Sequence, residues 1–145
     1  MLPEVMRAGH ADLYSVFRTR AHGCAEALAI EDGTTKRTYA ELLERVDRLA
    51  AVFLARGVVR GDRIAILSHN RAEYLEVELA AAAIGAIVAC LNWRLAPEEL
   101  RHCIELVEPR LAVVEPDLSD AYRAVAATPC LTIGPDLETA IAKTE

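Results

Sequence analysis

The residues of this sequence best suited to chemistry are four histidines, four cysteines and one short stretch of glycine and hydroxyl residues, Asp32-Gly33-Thr34-Thr35-Lys36. His10, His22, His69 and His102 stand apart from one another. None has the i, i+4 partner that would put two imidazoles on one helix face to hold zinc. Cys24, Cys90, Cys103 and Cys130 include no Cys-x-x-Cys pair, and two of them lie inside apolar runs. They read as reduced core thiols rather than as a disulfide framework or a metal site. Neither G-x-G-x-x-G nor G-x-x-x-x-G-K-[ST] occurs, and no serine sits in a G-x-S-x-G elbow. The Asp32–Lys36 stretch could in principle wrap a phosphate. Its single glycine bares few backbone N–H groups, however, and Asp-Gly between strand-like residues signals a hairpin turn. The best-placed polar pair is His69-Asn70, which follows an apolar run at the end of a strand where open α/β sheets bind ligands. The competing reading of that pair is a helix cap.

Those residues need a scaffold, and the bulk numbers allow one. A chain of 145 residues is long enough for folding to remove roughly two-thirds of its unfolded surface from water. With 53% hydrophobic and 26% charged residues it lies well away from the disordered class. Its 22 acidic against 16 basic side chains, net −6, offer no positive stripe for nucleic acid. The first residues, MLPEVMRAGHADLYSVF, lack the unbroken apolar stretch of a secretory signal, so a cytoplasmic location is expected. The uncharged run from Leu79 to Leu91 falls short of the roughly 20 residues that span a bilayer and reads as buried core.

Along the chain, a helix is expected near Asp12 to Arg20, a strand at Ala27-Leu28-Ala29-Ile30, and a hairpin through Asp32-Gly33 to Lys36-Arg37-Thr38. Thr38 with Glu41 makes a capping box, and Leu42, Val46, Leu49 and Phe53 follow at helical spacing until Gly57. Glu41 before Arg45 and Glu44 before Arg48 read as a solvated charged face. Strand and helix then alternate. Arg63 to Leu67 is a strand, Asn70 with Glu73 caps a helix running to Gly85, Ala86 to Leu91 is a strand, and Pro97 opens a helix. Leu111 to Val114 is a further strand, Ser119 caps a short helix, and Cys130 to Ile133 precedes Gly134-Pro135 and a polar tail. The pattern predicts an α/β fold: a mostly parallel sheet with helices on both faces, preceded by a short antiparallel hairpin, in one unit over 1–145.

Several of these segments stand in a telling order. They are Thr38-Tyr39-Ala40-Glu41-Leu42, Gly57, Gly61-Asp62-Arg63-Ile64-Ala65-Ile66-Leu67, Asn70 and Glu73, Gly85-Ala86-Ile87-Val88, Leu91-Asn92-Trp93-Arg94-Leu95, Pro97-Glu98-Glu99-Leu100 and Glu108-Pro109-Arg110-Leu111. Together they resemble the N-terminal portion of the AMP-forming acyl-CoA synthetases, the adenylate-forming ligase superfamily, over roughly Ala25 to Glu115. The resemblance implies a reaction in which a fatty or aromatic carboxylic acid and ATP give an acyl-adenylate, and coenzyme A then displaces AMP to give a thioester. It implies ATP, Mg2+ and CoA for the complete enzyme, and as partners a phosphate-loop subdomain and a mobile C-terminal domain. The family's phosphate loop, magnesium-binding acidic motifs and C-terminal lysine have no counterpart in these residues. The expectation is therefore an N-terminal subdomain truncated before the phosphate loop, inactive alone, with no catalytic and no metal-binding residue of its own. A stand-alone interaction or regulatory module that kept the subdomain fold is the alternative. Self-association through exposed apolar surface is a further expectation. One site residue carries over by resemblance: in related aroyl-CoA ligases the arginine of the Leu-Asn-x-Arg-Leu turn lies near the CoA phosphates, which here is Arg94. The structural alternative is that Arg94 merely pairs with Glu98 on the following helix or is solvated. Trp93 stands where the family commonly has proline, and Ala96 where it often has serine or threonine.

Overall fold

The computed structural model describes residues 12–33 and 35–144; His10 and Thr34 lie outside them. Helix α1 spans Leu13–Gly23, capped by the Asp12 carboxylate, which accepts from Ser15 N at 2.6 Å. Strands β1 (Leu28–Glu31) and β2 (Lys36–Thr38) form the expected antiparallel hairpin. Helix α2 (Tyr39–Ala55) starts at the predicted capping box: Thr38 Oγ1 accepts from Glu41 N at 3.3 Å, and Thr38 N donates to the Glu41 carboxylate at 2.7 Å. Its Leu42, Val46, Leu49 and Phe53 stripe is fully buried. Alternation then follows through β3 (Arg63–Leu67), α3 (Ala72–Ile84), β4 (Ile87–Leu91), α4 (Pro97–Val107), β5 (Leu111–Val114), α5 (Ser119–Arg123), β6 (Cys130–Thr132) and α6 (Pro135–Ala142). Gly85 ends α3 with φ +71°, the left-handed conformation that glycine adopts without a Cβ penalty.

The four later strands form one parallel sheet in the order β4-β3-β5-β6. Side chains alternate between its faces. Ile64, Ile66, Leu111, Val113 and Leu131 pack against α2, α3 and α6. Ala65, Leu67, Ala112 and Val114 pack against Leu100 and Ile104 of α4 and Tyr122 of α5. The chain steps outward from β3 to β4 by way of α3 on one face. It returns across β3 to β5 by way of α4 on the other, which gives its connections a common hand.

Several sequence expectations are corrected. Asn70 and Glu73 do not cap α3: the flanking residue is Arg71, whose side chain makes no cap bond, and the Asp32 carboxylate reaches in from the hairpin turn to accept from Ala72 N at 2.9 Å. Arg45 is not on a solvated face. Its side chain is 11% exposed and engages Glu76 and Glu138, whereas Glu44 and Arg48 do form the surface pair, at 2.7 Å. The Leu79–Leu91 run is buried only at its two ends. β4 is an edge strand with Ile87 56% exposed, and Cys90 is exposed too. All four cysteines are free thiols, as expected, but none is fully buried: Cys24, Cys103 and Cys130 are half-buried, the last two packed against the α4 and α5 side of the core. Ser119 lies inside its helix and donates to Glu115 O at 3.2 Å rather than capping. The supposed polar tail is α6, because Leu137 and Ile141, four apart, are buried against the core.

Helix α4 begins after Ala96, as expected. Glu99 accepts from Ala96 N at 2.9 Å, but alanine has no side-chain oxygen to return the bond to the first turn. Ala96→Ser should supply it and raise stability by about 1 kcal/mol. Urea unfolding of the two chains side by side checks this, and an unchanged midpoint counts against Ala96 as the cap.

Candidate functional site

At the carboxyl ends of β3 and β5 the chain leaves in opposite directions, toward β4 from the first and toward β6 from the second. This is the switch point at which open α/β sheets form a ligand crevice. Three loops meet there. Ser68 to Arg71 follows β3, Asn92 to Arg94 follows β4, and Glu115 follows β5.

Glu115 is the hub. Its backbone N–H donates to Leu67 O at 2.9 Å, extending the ladder by one residue and holding the side chain against the β3 loop. Its Oε2 accepts from His69 N at 2.8 Å and from Ser68 Oγ at 3.1 Å, and lies 2.9 Å from His69 Nδ1. Its Oε1 lies 3.4 Å from Arg71 Nη1, and Arg71 in turn forks onto the Glu73 carboxylate at 2.8 and 3.0 Å. Burial raises the Glu115 carboxyl pKa. The His69 backbone and side-chain contacts and the Ser68 hydroxyl outweigh that, and the net shift is downward. A carboxylate only accepts, so Nδ1 carries the imidazole hydrogen and Nε2 is left without a partner among the described residues.

The His69 ring then rests on Trp93, with ring centroids 4.2 Å apart. Trp93 is 38% exposed, and the Arg94 guanidinium carbon lies 4.2 Å from the indole centroid. The turn that presents Arg94 is set by Asn92, whose Oδ1 accepts from Arg94 N at 3.0 Å. No carboxylate lies within ion-pair range of Arg94 among the described residues, so the pairing with Glu98 does not form. His69, Trp93 and Arg94 thus make a continuous exposed ledge with a cation at each end when the imidazole is protonated.

The other sequence candidates stay apart from this ledge. His22 and His102 are exposed on α1 and α4. Asp32 and Gly33 lie in the hairpin turn, with Asp32 Oδ1 accepting from Thr35 N at 2.9 Å and Oδ2 accepting from Ala72 N of α3 at 2.9 Å. Asn70, the partner expected for His69, is exposed, and Glu115 takes that place. Glu115 was missed because it is distant in sequence; the signal available was a charged residue directly after an apolar strand. Among the described residues no group of three or more His, Cys, Asp and Glu side chains is placed to hold a metal. No helix among them is long and apolar enough to cross a membrane.

Comparison with known proteins extends the sequence resemblance. The AMP-binding enzyme family matches residues 17–144. The chain belongs to this family. A feruloyl-CoA synthase of Amycolatopsis sp is 39% identical over 108 residues, covering 74% of this chain and 22% of that protein. A 3-hydroxybenzoate–CoA ligase of Aromatoleum sp. (strain CIB) is 37% identical over 106 residues, covering 73% and 20%. The crystal structure of ATP-bound MatB from Rhodopseudomonas palustris superposes with a TM-score of 0.82 at 32% identity, covering 92% of this chain and 28% of that one. The chain thus spans about a fifth of the length of these curated relatives.

The Glu115 hub makes a prediction about pH. Its folded pKa lies below the ordinary glutamate value of 4.5. Its contribution to stability is therefore complete above that value and is lost as the pH falls through it toward the folded one. Glu115→Gln should lower stability at neutral pH and flatten this part of the acid limb in urea midpoints taken across the range. An acid limb parallel to that of the parent chain would mean that Glu115 is not held as described.

Proposed function

We propose that this chain forms the N-terminal portion of an ATP-dependent, AMP-forming acyl-CoA ligase, and that its own contribution is to the CoA half-reaction. In that reaction the acid and ATP give acyl-adenylate and pyrophosphate. The CoA thiol then attacks the acyl carbon, and AMP leaves as the thioester forms. The names of the two relatives favour an aromatic acid. The groups that hold ATP phosphates and magnesium, and the mobile lysine, belong to the rest of the ligase. Positioning and charge stabilisation supply most of such catalysis, so these residues alone make no acyl-adenylate. The rest of the ligase also covers apolar surface left bare here, where Ile87 is 56% and Leu106 76% exposed.

The observation that carries the reading is Arg94. It stands at the carboxyl end of the sheet, exposed, free of any carboxylate among the described residues, and set over the Trp93 ring. A guanidinium so held is pre-organised for a phosphate.

The test uses the complete ligase and separates the two half-reactions. Arg94→Ala should raise the KM for CoA about tenfold or more, since a charge-assisted contact of roughly 1.5–3 kcal/mol is lost. Adenylate formation from ATP and acid without CoA should be nearly unchanged, and Arg94→Lys should recover part of the loss as a point charge. If both half-reactions fall together with thermal stability, Arg94 is only a brace and the assignment is withdrawn.

A further inference from the structure

Arg94 accounts for one end of the ledge, and the other end has chemistry that the resemblance does not assign. His69 sits on the opposite loop, one strand away, with its ring fixed at two points: Nδ1 on the Glu115 carboxylate at 2.9 Å and its face on Trp93 at 4.2 Å. A side chain that merely filled space on an exposed loop would have no reason to be held twice. The hold is itself supported, because Ser68 and Arg71 fix the carboxylate that fixes the ring. The outcome is an imidazole with one nitrogen committed to the protein, the other free and 46% of the side chain open to solvent.

We propose that His69 is a second contact for a phosphate of the CoA nucleotide, donating from Nε2, and that Glu115 is the residue that positions it. This inference rests on the reading that Arg94 faces CoA, and it deepens that reading. With both ring nitrogens protonated, the imidazolium donates from Nδ1 to Glu115 and from Nε2 to the anion. The charged groups around the ring are few. Glu115 lies on one side, Arg71 shares its second oxygen, and Arg94 stands across the indole. Glu115 offsets the cost of placing an imidazolium near Arg71 and Arg94, so the two ends of the ledge can carry like charge without pushing apart. Trp93 keeps the ends a fixed distance apart and offers a flat apolar face between them.

Two measurements test the proposal. Trp93 is the only tryptophan in these residues, so in this chain its emission reports on the ledge. A protonated imidazole against an indole quenches it. His69→Gln should therefore brighten Trp93 in acid, and Glu115→Gln should do the same if Glu115 holds the ring. Emission unchanged by Glu115→Gln would overturn its positioning role.

In the complete ligase, His69→Gln should raise the KM for CoA about tenfold, the loss of one charge-assisted hydrogen bond. The penalty should disappear when pantetheine, which has no phosphate, replaces CoA as the acceptor. A penalty that persists with pantetheine, or that falls on the KM for ATP instead, would overturn the proposal. Arg94→Ala in the same assay separates the two claims. If it raises the KM for CoA while His69→Gln does not, only the present inference fails. If neither variant moves that KM, the assignment of the ledge to CoA fails with it.

Discussion

A carboxylate with no exposure to water lies in the middle of α3, and the rest of the fold is arranged around its needs. Glu76 is held by Arg37 from β2 at 3.1 Å and by Arg45 from α2 at 2.7 Å. Arg45 continues to Glu138 on α6, with Nη1 to Oε2 at 2.7 Å. A lone buried carboxylate would cost several kcal/mol. Burial accordingly pushes the Glu76 carboxyl pKa up, while the two arginines pull it back. Helix α3 can therefore seat its apolar face, Val77, Leu79, Ala80 and Ala81, under the sheet only when the hairpin and α2 bring their guanidinium groups with it. Four elements assemble as a set, and partial assemblies leave a charge without its partner.

The hairpin grips α3 a second time. Asp32, four residues before Lys36, accepts the Ala72 amide at the helix start, one turn from Glu76. That position fixes where Arg71 begins the helix, and Arg71 then meets both Glu73 and Glu115. Because Ser68, His69 and Arg71 share one short loop, the orientation of the His69 ring follows from how the hairpin and α3 are joined. The buried clamp and the ledge at the carboxyl end of the sheet are thus joined through the first turn of α3, with separate polar contacts at each end.

Much of this was legible in the sequence where the signal is local. The Thr38 capping box, the α2 stripe, the strand-helix alternation and the Leu91-Asn92-Trp93-Arg94-Leu95 turn are all set by neighbours within a few residues, and the structure bears them out. What was not legible depends on which strands lie side by side. β4 has the composition of a buried strand yet sits at an edge, because strand order is decided by crossover packing and not by apolar content. Arg45 was expected to pair with Glu41, an exposed contact worth a few tenths of a kcal/mol. Glu41 instead turns back to Thr38, and Arg45 turns inward, where a fully buried carboxylate shared with Arg37 sets a far larger stake. For the site, His69 and Arg94 were both marked in the sequence. Their connection through Trp93, and the hold of Glu115 on His69, exist only once β3, β4 and β5 are adjacent.

If the buried carboxylate and its arginines stabilise the fold as a unit, Glu76 and Arg45 are coupled in a double-mutant cycle. Urea unfolding would be followed through Trp93 emission, which reads the carboxyl end of the sheet, away from the substituted residues. Glu76→Ala should cost about 3–5 kcal/mol, as expected when one partner of a buried ion pair is removed. Arg45→Ala should cost much less in the Glu76→Ala background than in the parent chain. A loss below about 1 kcal/mol for Glu76→Ala, as for an exposed pair, or strictly additive losses in the double variant, would mean that the buried carboxylate and its arginines do not act as a unit.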